Sequence, residues 1–270
     1  MTDAYRSPLR PDANAGRVAL VTGGGTGIGR ATALELASSG ARVAICGRRA
    51  EPLERVRAEV EAAGGECLAV AADLREPEAV ERVVDAALKR FGALDVLVNN
   101  AGGQFSAPAE EISDKGWSAV ERITVDAVWS VTRAVATRAM IPGGGGLVVF
   151  VGFSPHRGIP GFAHACAGRA AVANLASGLA LEWSRHRIRT VCVAPGTILT
   201  EGLEGYGADA VERWTRSVPL GRLGRPEEVA ALIAFLASDG GAYVTGTTIV
   251  VDGGVDAWGI GTPPPPLEAA

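Results

Sequence analysis

Tyrosine is scarce in this chain. There are three in 270 residues: Tyr5, Tyr206 and Tyr243. Chemistry that needs a phenol as its acid must draw on one of them. Cys46, Cys67, Cys166 and Cys192 lie far apart and form no CxxC pair, so four reduced thiols are expected. His156, His164 and His186 lack zinc-ligand spacing, and no metal site is expected. Apolar runs are broken by Gly, Arg or Asp well short of the ~20 residues a membrane helix needs. Met1 to Gly16 is polar and Pro-containing, with no apolar run like a signal peptide. A cytoplasmic chain with no membrane partner is expected. A formal net charge of −4 gives no basic footprint for nucleic acid.

What is present is an ordinary globular balance. Hydrophobic residues make up 47% and charged residues 21%, which excludes disorder over most of the chain. Short β-branched runs are expected as strands at Val18–Thr22, Arg42–Cys46, Glu66–Ala71, Val96–Val98, Leu147–Val151, Thr190–Ala194 and Thr248–Val251. Between them, helices are expected at Ile28–Ser39, Glu51–Ala63, Pro77–Phe91, Ser113–Met140, Phe162–His186 and Pro226–Ala237. Continuous apolar strands separated by helices indicate a parallel sheet covered on both faces. Right-handed crossovers make it a doubly wound α/β sheet in a single domain. That domain is expected over residues 17–255. Residues 1–16 read as a loose tail and 256–270 as a Pro-rich one.

Val18–Thr22 runs into Gly23-Gly24-Gly25-Thr26-Gly27-Ile28-Gly29. Between a strand and a helix, such a loop turns sharply and admits a phosphate. The helix start then offers free N–H groups to it. The second strand ends at Cys46-Gly47-Arg48-Arg49, without the carboxylate that would hold an adenosine ribose diol. Two arginines there suit a 2′-phosphate, so NADP(H) is the expected cofactor. Asp73, followed by Leu74, either binds adenine or caps the next helix.

Thr22 to Gly29, Asn99-Asn100-Ala101-Gly102 and Pro195-Gly196 together resemble the short-chain dehydrogenase/reductase family, over roughly Arg17 to Gly254. The resemblance implies a Rossmann-type sheet of seven strands, a nicotinamide cofactor and a homo-oligomer, dimer or tetramer. It implies that Gly23, Gly27 and Gly29, with Thr26 and Ile28, hold the pyrophosphate. Asn99, Ala101 and Gly102 would serve the sheet end and the adenosine side. Pro195, Gly196, Ile198 and Thr200 would flank the nicotinamide, ahead of a substrate loop at about 197–217.

The family's usual catalytic set is Asn, Ser and Tyr-x-x-x-Lys. In this chain Thr124 stands at the Asn, Gly152 at the Ser, Ala165 at the Tyr and Arg169 at the Lys. An ordinary ketone reductase needs an acid for the nascent alkoxide, and Ala165 supplies none. Arg169 keeps a positive charge and can bind nicotinamide ribose hydroxyls, but it is a poor proton relay. A narrower resemblance is to the peroxisomal trans-2-enoyl-CoA reductases, through Val98 to Phe105, Ser113 to Trp117, Ala163-His164, Arg169-Ala170, Ala180 to Trp183 and Tyr206-Gly207. The 2,4-dienoyl-CoA reductases are a more distant match, through the glycine loop and Asn99 to Phe105. Both lack the usual Tyr-x-x-x-Lys and reduce a C=C bond conjugated to a thioester. Such a reaction needs donors to an enolate oxygen and a proton for the α-carbon.

The candidate catalytic groups are therefore His164, Arg169, Tyr206 and Thr124. Thr124 either donates one hydrogen bond or fills the helix interior. Ser154 lies two residues past the serine slot, and His156 with Arg157 forms a small basic spot near the cleft mouth. Asp126, about 200° around the helix from Thr124, is expected to face away. The resemblance implies NADPH-dependent reduction of an activated C=C bond in a small-molecule substrate. The lost catalytic set leaves open a non-catalytic NADP-binding protein, or a tailoring enzyme with non-redox chemistry.

Overall fold

In the computed structural model, residues 7–153, 158–204 and 208–258 are described, without the side chains of Glu204, Ala208 and Ala210. The strands are β1 (Val18–Thr22), β2 (Arg42–Gly47), β3 (Cys67–Ala71), β4 (Val96–Asn99), β5 (Gly146–Val151), β6 (Ile188–Pro195) and β7 (Thr248–Val251). They form one sheet in the order β3-β2-β1-β4-β5-β6-β7, with every pairing parallel. All seven expected strands are found, within two residues at each end. All five residues of β1 are buried, because helices cover both faces.

Leu20, Leu97, Phe150 and Ala176 pack on one face of the sheet. Val21, Ile45, Val98 and Val193 pack on the other. The helices on the second face are α1 (Gly27–Ser38), α2 (Ala50–Ala62) and α10 (Pro226–Ala237). Those on the first are α3 (Pro77–Phe91), α5 (Ala127–Val135) and α7 (Ala163–Trp183). Chain direction across the sheet reverses between β1 and β4. A doubly wound sheet opens its ligand crevice there, at the carboxyl ends of the strands.

The long helix expected at Ser113–Met140 is a composite. It runs through α4 (Asp114–Glu121), a π-type turn at Arg122–Asp126, α5, a second π-type turn at Ala136–Met140, and α6 (Ile141–Gly143). Ser113 caps its start by accepting from the Gly116 N–H at 3.1 Å. The π-type turn puts one extra residue beside the helix it packs against, and Thr124 lies in that turn.

One expectation about irregular chain is corrected. The stretch read as a loose tail is anchored to the domain at Ser7 and Asn14, although most of its residues from Ser7 to Gly16 are not buried. Asn14 is fully buried and donates to Ser39 Oγ at 2.9 Å and to the Ala234 carbonyl at 3.1 Å. Ser7 Oγ donates to Glu35 at 2.6 Å. A polar side chain with a buried partner escapes hydropathy reading. The stretch 197–217, expected as a substrate loop, contains α8 (Glu201–Glu204) and α9 (Ala208–Arg216), and α11 (Val255–Trp258) follows β7. Among the described residues, no helix is long and apolar enough to cross a membrane.

Candidate dinucleotide cleft and active site

A cleft of about 530 Å³ opens at the carboxyl ends of β1, β2 and β4. Its floor is the glycine loop. Gly27 begins α1 with φ +52°, in the left-handed region that glycine adopts freely. Gly29 faces inward. A Cβ there would stand 2.1 Å from the Gly23 carbonyl oxygen, so this glycine lets helix and loop touch. Gly29 does not line the cleft, whereas Gly23, Thr26, Gly27 and Ile28 do.

The loop is tied to β4 by hydrogen bonds. Thr22 Oγ1 accepts from the N–H groups of Asn100 (3.0 Å) and Ala101 (2.9 Å). Asn100 Nδ2 donates to the Thr22 carbonyl at 2.9 Å and the Gly23 carbonyl at 3.3 Å. Of the two adjacent asparagines, Asn100 lines the cleft with Ala101 and Gly102. Asn99 faces the other way, buried, and donates to Thr132 Oγ1 at 2.9 Å. Sequence reading named Asn99 for the cofactor. The alternation of a strand puts its neighbour there instead.

Arg48, Arg49, Asp73 and Leu74 line the far end. Asp73 does not cap α3, whose preceding residue is Glu76. Its carboxylate accepts from Arg75 Nε at 2.9 Å and from the Arg75 N–H at 3.1 Å. That hydrogen-bonded arginine, with lesser help from the charge of Arg48, holds the Asp73 carboxyl down to about 2. Arg75 also lines the cleft and escaped sequence reading. Three cations and one carboxylate thus surround this end. Thr200, Glu201 and Gly202 form the opposite lip. Pro195, Gly196 and Ile198 lie behind it. The Gly196 N–H donates to Val251 at 2.9 Å, and Ile198 is buried and bridges to Gly224.

The expected catalytic groups sit deeper. His164 is fully buried in the first turn of α7, and neither ring nitrogen has a hydrogen-bond partner. The Phe105 ring covers it at 4.3 Å between centroids. Burial pushes the His164 pKa below its ordinary value and keeps the ring neutral. Arg169 is buried directly beneath Gly102. A Cβ on Gly102 would fall 2.0 Å from Arg169 Nη2. Its Nη1 donates to the Val151 carbonyl, and its Nε has no partner. Burial lowers its pKa to about 10, so the charge persists at neutral pH.

Thr124 takes the packing alternative. Its hydroxyl donates to the Val120 carbonyl at 2.7 Å, which uses its one proton. Its Oγ1 faces Gly168, where a Cβ would come within 2.4 Å. The space at Gly152, where the resemblance implies a serine, is also filled. A Cβ on Gly152 would lie 2.6 Å from Cys192 Sγ, so a thiol from the neighbouring strand occupies that space. Burial pushes the Cys192 thiol up to about 11, and it stays protonated. Ala165 is fully buried, and Asp126 is exposed and does not line the cleft. Tyr243 is exposed and does not line the cleft. Tyr206, Ser154, His156 and Arg157 lie outside the described residues. Among the described residues, no group of three or more His, Cys, Asp or Glu could hold a metal ion.

The parts fit a dinucleotide. There is a glycine loop at a helix start, a cationic far end, and a buried guanidinium with an unused Nε beneath the wall of the cleft. Fold and site together define a Rossmann-type dinucleotide-dependent oxidoreductase. More narrowly, the chain belongs to the short-chain dehydrogenase/reductase family. A family model described as enoyl-(acyl carrier protein) reductase matches residues 23–256. A relative named "Probable 2,4-dienoyl-CoA reductase [(2E)-enoyl-CoA-producing]" from Bacillus subtilis (strain 168) is 38% identical over 243 residues, covering 88% of this chain and 96% of the relative. A gluconate 5-dehydrogenase of Gluconobacter oxydans (strain 621H) is 39% identical over 245 residues, covering 89% and 94%. Among solved structures, a provisional NAD(P)-dependent gluconate 5-dehydrogenase from Beutenbergia cavernae, with NADP bound at low occupancy, superposes with a TM-score of 0.86. It is 37% identical, with 92% of this chain and 100% of that one covered. The chain is an NAD(P)-dependent oxidoreductase on this ground.

Proposed function

We propose that this protein is an NADPH-dependent reductase of an activated C=C bond, on an enoyl-CoA or another α,β-unsaturated carbonyl. The observation that carries the reading is a whole dinucleotide cleft beside a site that, among the described residues, holds no tyrosine to protonate an alkoxide. Ala165 stands where the family has its tyrosine, and Cys192 fills the serine slot. The dienoyl-CoA reductase relative supports the same class of reaction.

Bound NADPH supplies a hydride for the β-carbon of the conjugated bond. Negative charge then moves to the carbonyl oxygen, and a proton must reach the α-carbon. The chain's task is to hold donors at that oxygen in a dry site. Neutral His164 has a ring N–H free for it. Arg169 adds a fixed positive charge beneath Gly102, and its Nε is free for a ribose hydroxyl. Tyr206 remains a candidate proton source from the loop. At the other end, Arg48 and Arg49 are proposed to take the 2′-phosphate, and Asp73 the adenine amine. A homo-oligomer in the cytoplasm completes this reading.

One observation favours a second reading. His164 and Arg169 are buried behind the cleft wall rather than exposed in it. A non-catalytic NADP-binding protein would tolerate that. Absorbance-monitored NADPH oxidation separates the two, with trans-2-enoyl-CoAs of several chain lengths, simple enones and simple ketones as substrates. Turnover of enoyl-CoAs or enones but not ketones is expected. Confirmed NADPH binding with no turnover of any of them overturns the reductase.

A further inference from the structure

The phosphate end of the cleft already holds an anion. Glu201 Oε2 accepts a hydrogen bond from the Gly27 N–H at 3.2 Å, at the first residue of the twelve-residue α1. That N–H is one a diphosphate would need. The helix has no local substitute. Thr26 precedes it without capping by its side chain, and its first turn carries no acidic residue. A carboxylate 174 residues away in the chain therefore satisfies the helix start. Thr200 arrives with it, its Cγ2 standing 3.2 Å from where a Gly27 Cβ would be. Burial does not force this contact, because Glu201 is exposed. Thr200 and Glu201 border two spaces at once. One is the dinucleotide cleft, and the other is a groove of about 410 Å³ against Arg225 and Pro226.

We infer that Glu201 is an internal competitor for the diphosphate subsite, displaced from Gly27 when the dinucleotide binds. The inference rests on the reading of this cleft as an NADP site. The carboxylate and the diphosphate need the same N–H and carry charge of the same sign, so both cannot occupy it. Displacement moves the lip at Thr200–Gly202, which carries the first residues of α8. Cofactor entry thereby repositions the start of the substrate loop before substrate arrives.

The test compares wild type with Glu201→Gln, a variant of nearly the same shape without the charge. NADPH binding is titrated by nicotinamide fluorescence. As a control, 2′-AMP is titrated by calorimetry, because it carries the adenosine phosphate but no diphosphate. NADPH should bind about two- to fivefold tighter to Glu201→Gln, as expected for removing one competing charge at a helix start. The gain should shrink with added salt, and 2′-AMP should bind both proteins alike. NADPH binding of equal strength in the two proteins, or weaker in the variant, overturns the inference alone. So does an equal gain for 2′-AMP. Failure of wild type to bind NADPH overturns the cofactor reading and this inference with it.

Discussion

At the scale of the residue, the unusual feature is buried polar groups left without partners. His164 has two unpaired ring nitrogens and Arg169 an unpaired Nε. Such groups cost free energy in the folded chain, roughly 1–3 kcal/mol each. Their retention is understandable where a ligand completes them. His164→Ala should therefore lower kcat for enone reduction at least tenfold while changing the Kd for NADPH less than twofold. Stopped-flow kinetics beside a binding titration checks this, and unchanged kcat removes His164 from the mechanism. The same residue sets a pH dependence. Burial holds its folded-state pKa below the ordinary 6.5, so the unfolded chain takes up the proton first as pH falls. Its stability contribution is intact above 6.5 and is lost as pH drops toward the lowered folded value. Urea melts of wild type and His164→Ala at pH 7.5 and 5.5 should show the variant losing less stability on acidification.

Arg48 and Arg49 act at this scale too. Charge-assisted hydrogen bonds to a phosphate contribute about 1.5–3 kcal/mol each. Replacing either arginine by Ala should weaken NADPH binding by about ten- to a hundredfold and leave NADH binding nearly unchanged. Equal losses for both nucleotides would place the arginines elsewhere than at the 2′-phosphate.

Among the elements, β5 and β6 decide what the active site can be. Their parallel register sets Phe150 against Cys192, and the next residues bring Gly152 over the thiol. The site cannot be returned to the family pattern by one substitution. Gly152→Ser should cost about 1–3 kcal/mol through overpacking against Cys192 Sγ. It should also give no ketone reduction, since Ala165 still lacks a phenol. Pairing it with Cys192→Ala should recover most of the stability in denaturant melts. Full stability of the single variant would show that Cys192 leaves the slot freely. The π-type turn has a related effect. It seats Thr124 against Gly168 of α7, so the residue at the family's Asn position serves the seam between helices.

For the whole molecule, the reversal between β1 and β4 gathers the cleft-lining residues at one edge of one sheet. A ligand that bridges the glycine loop, the β3 end and the Thr200 lip should stabilise the fold as a unit. At a concentration a hundredfold over its Kd, NADPH should add about 2.7 kcal/mol, raising Tm by about 5–10 °C in a calorimetric scan. NADH at the same concentration should raise it less. An equal shift would remove the preference for NADP.

The sequence by itself determined the sheet and the glycine loop. These rest on periodicity, turn residues and spacing, all properties of neighbours in the chain. Seven strands and five of the six expected helices were legible for that reason, the sixth being broken by two π-type turns, and so was the placing of Arg48 and Arg49 at the cleft. Only the tertiary structure decided which of Asn99 and Asn100 faces the cleft, because successive residues point to opposite sides and the packing settles which side is the cleft. It put Arg169 under Gly102, Cys192 into the serine slot and Asn14 into the core. It also brought Glu201 onto Gly27, and Arg75 onto the carboxylate of Asp73. Most of these are contacts between segments far apart in the chain. Their energies depend on which surfaces the folded sheet brings together, and no local pattern encodes that.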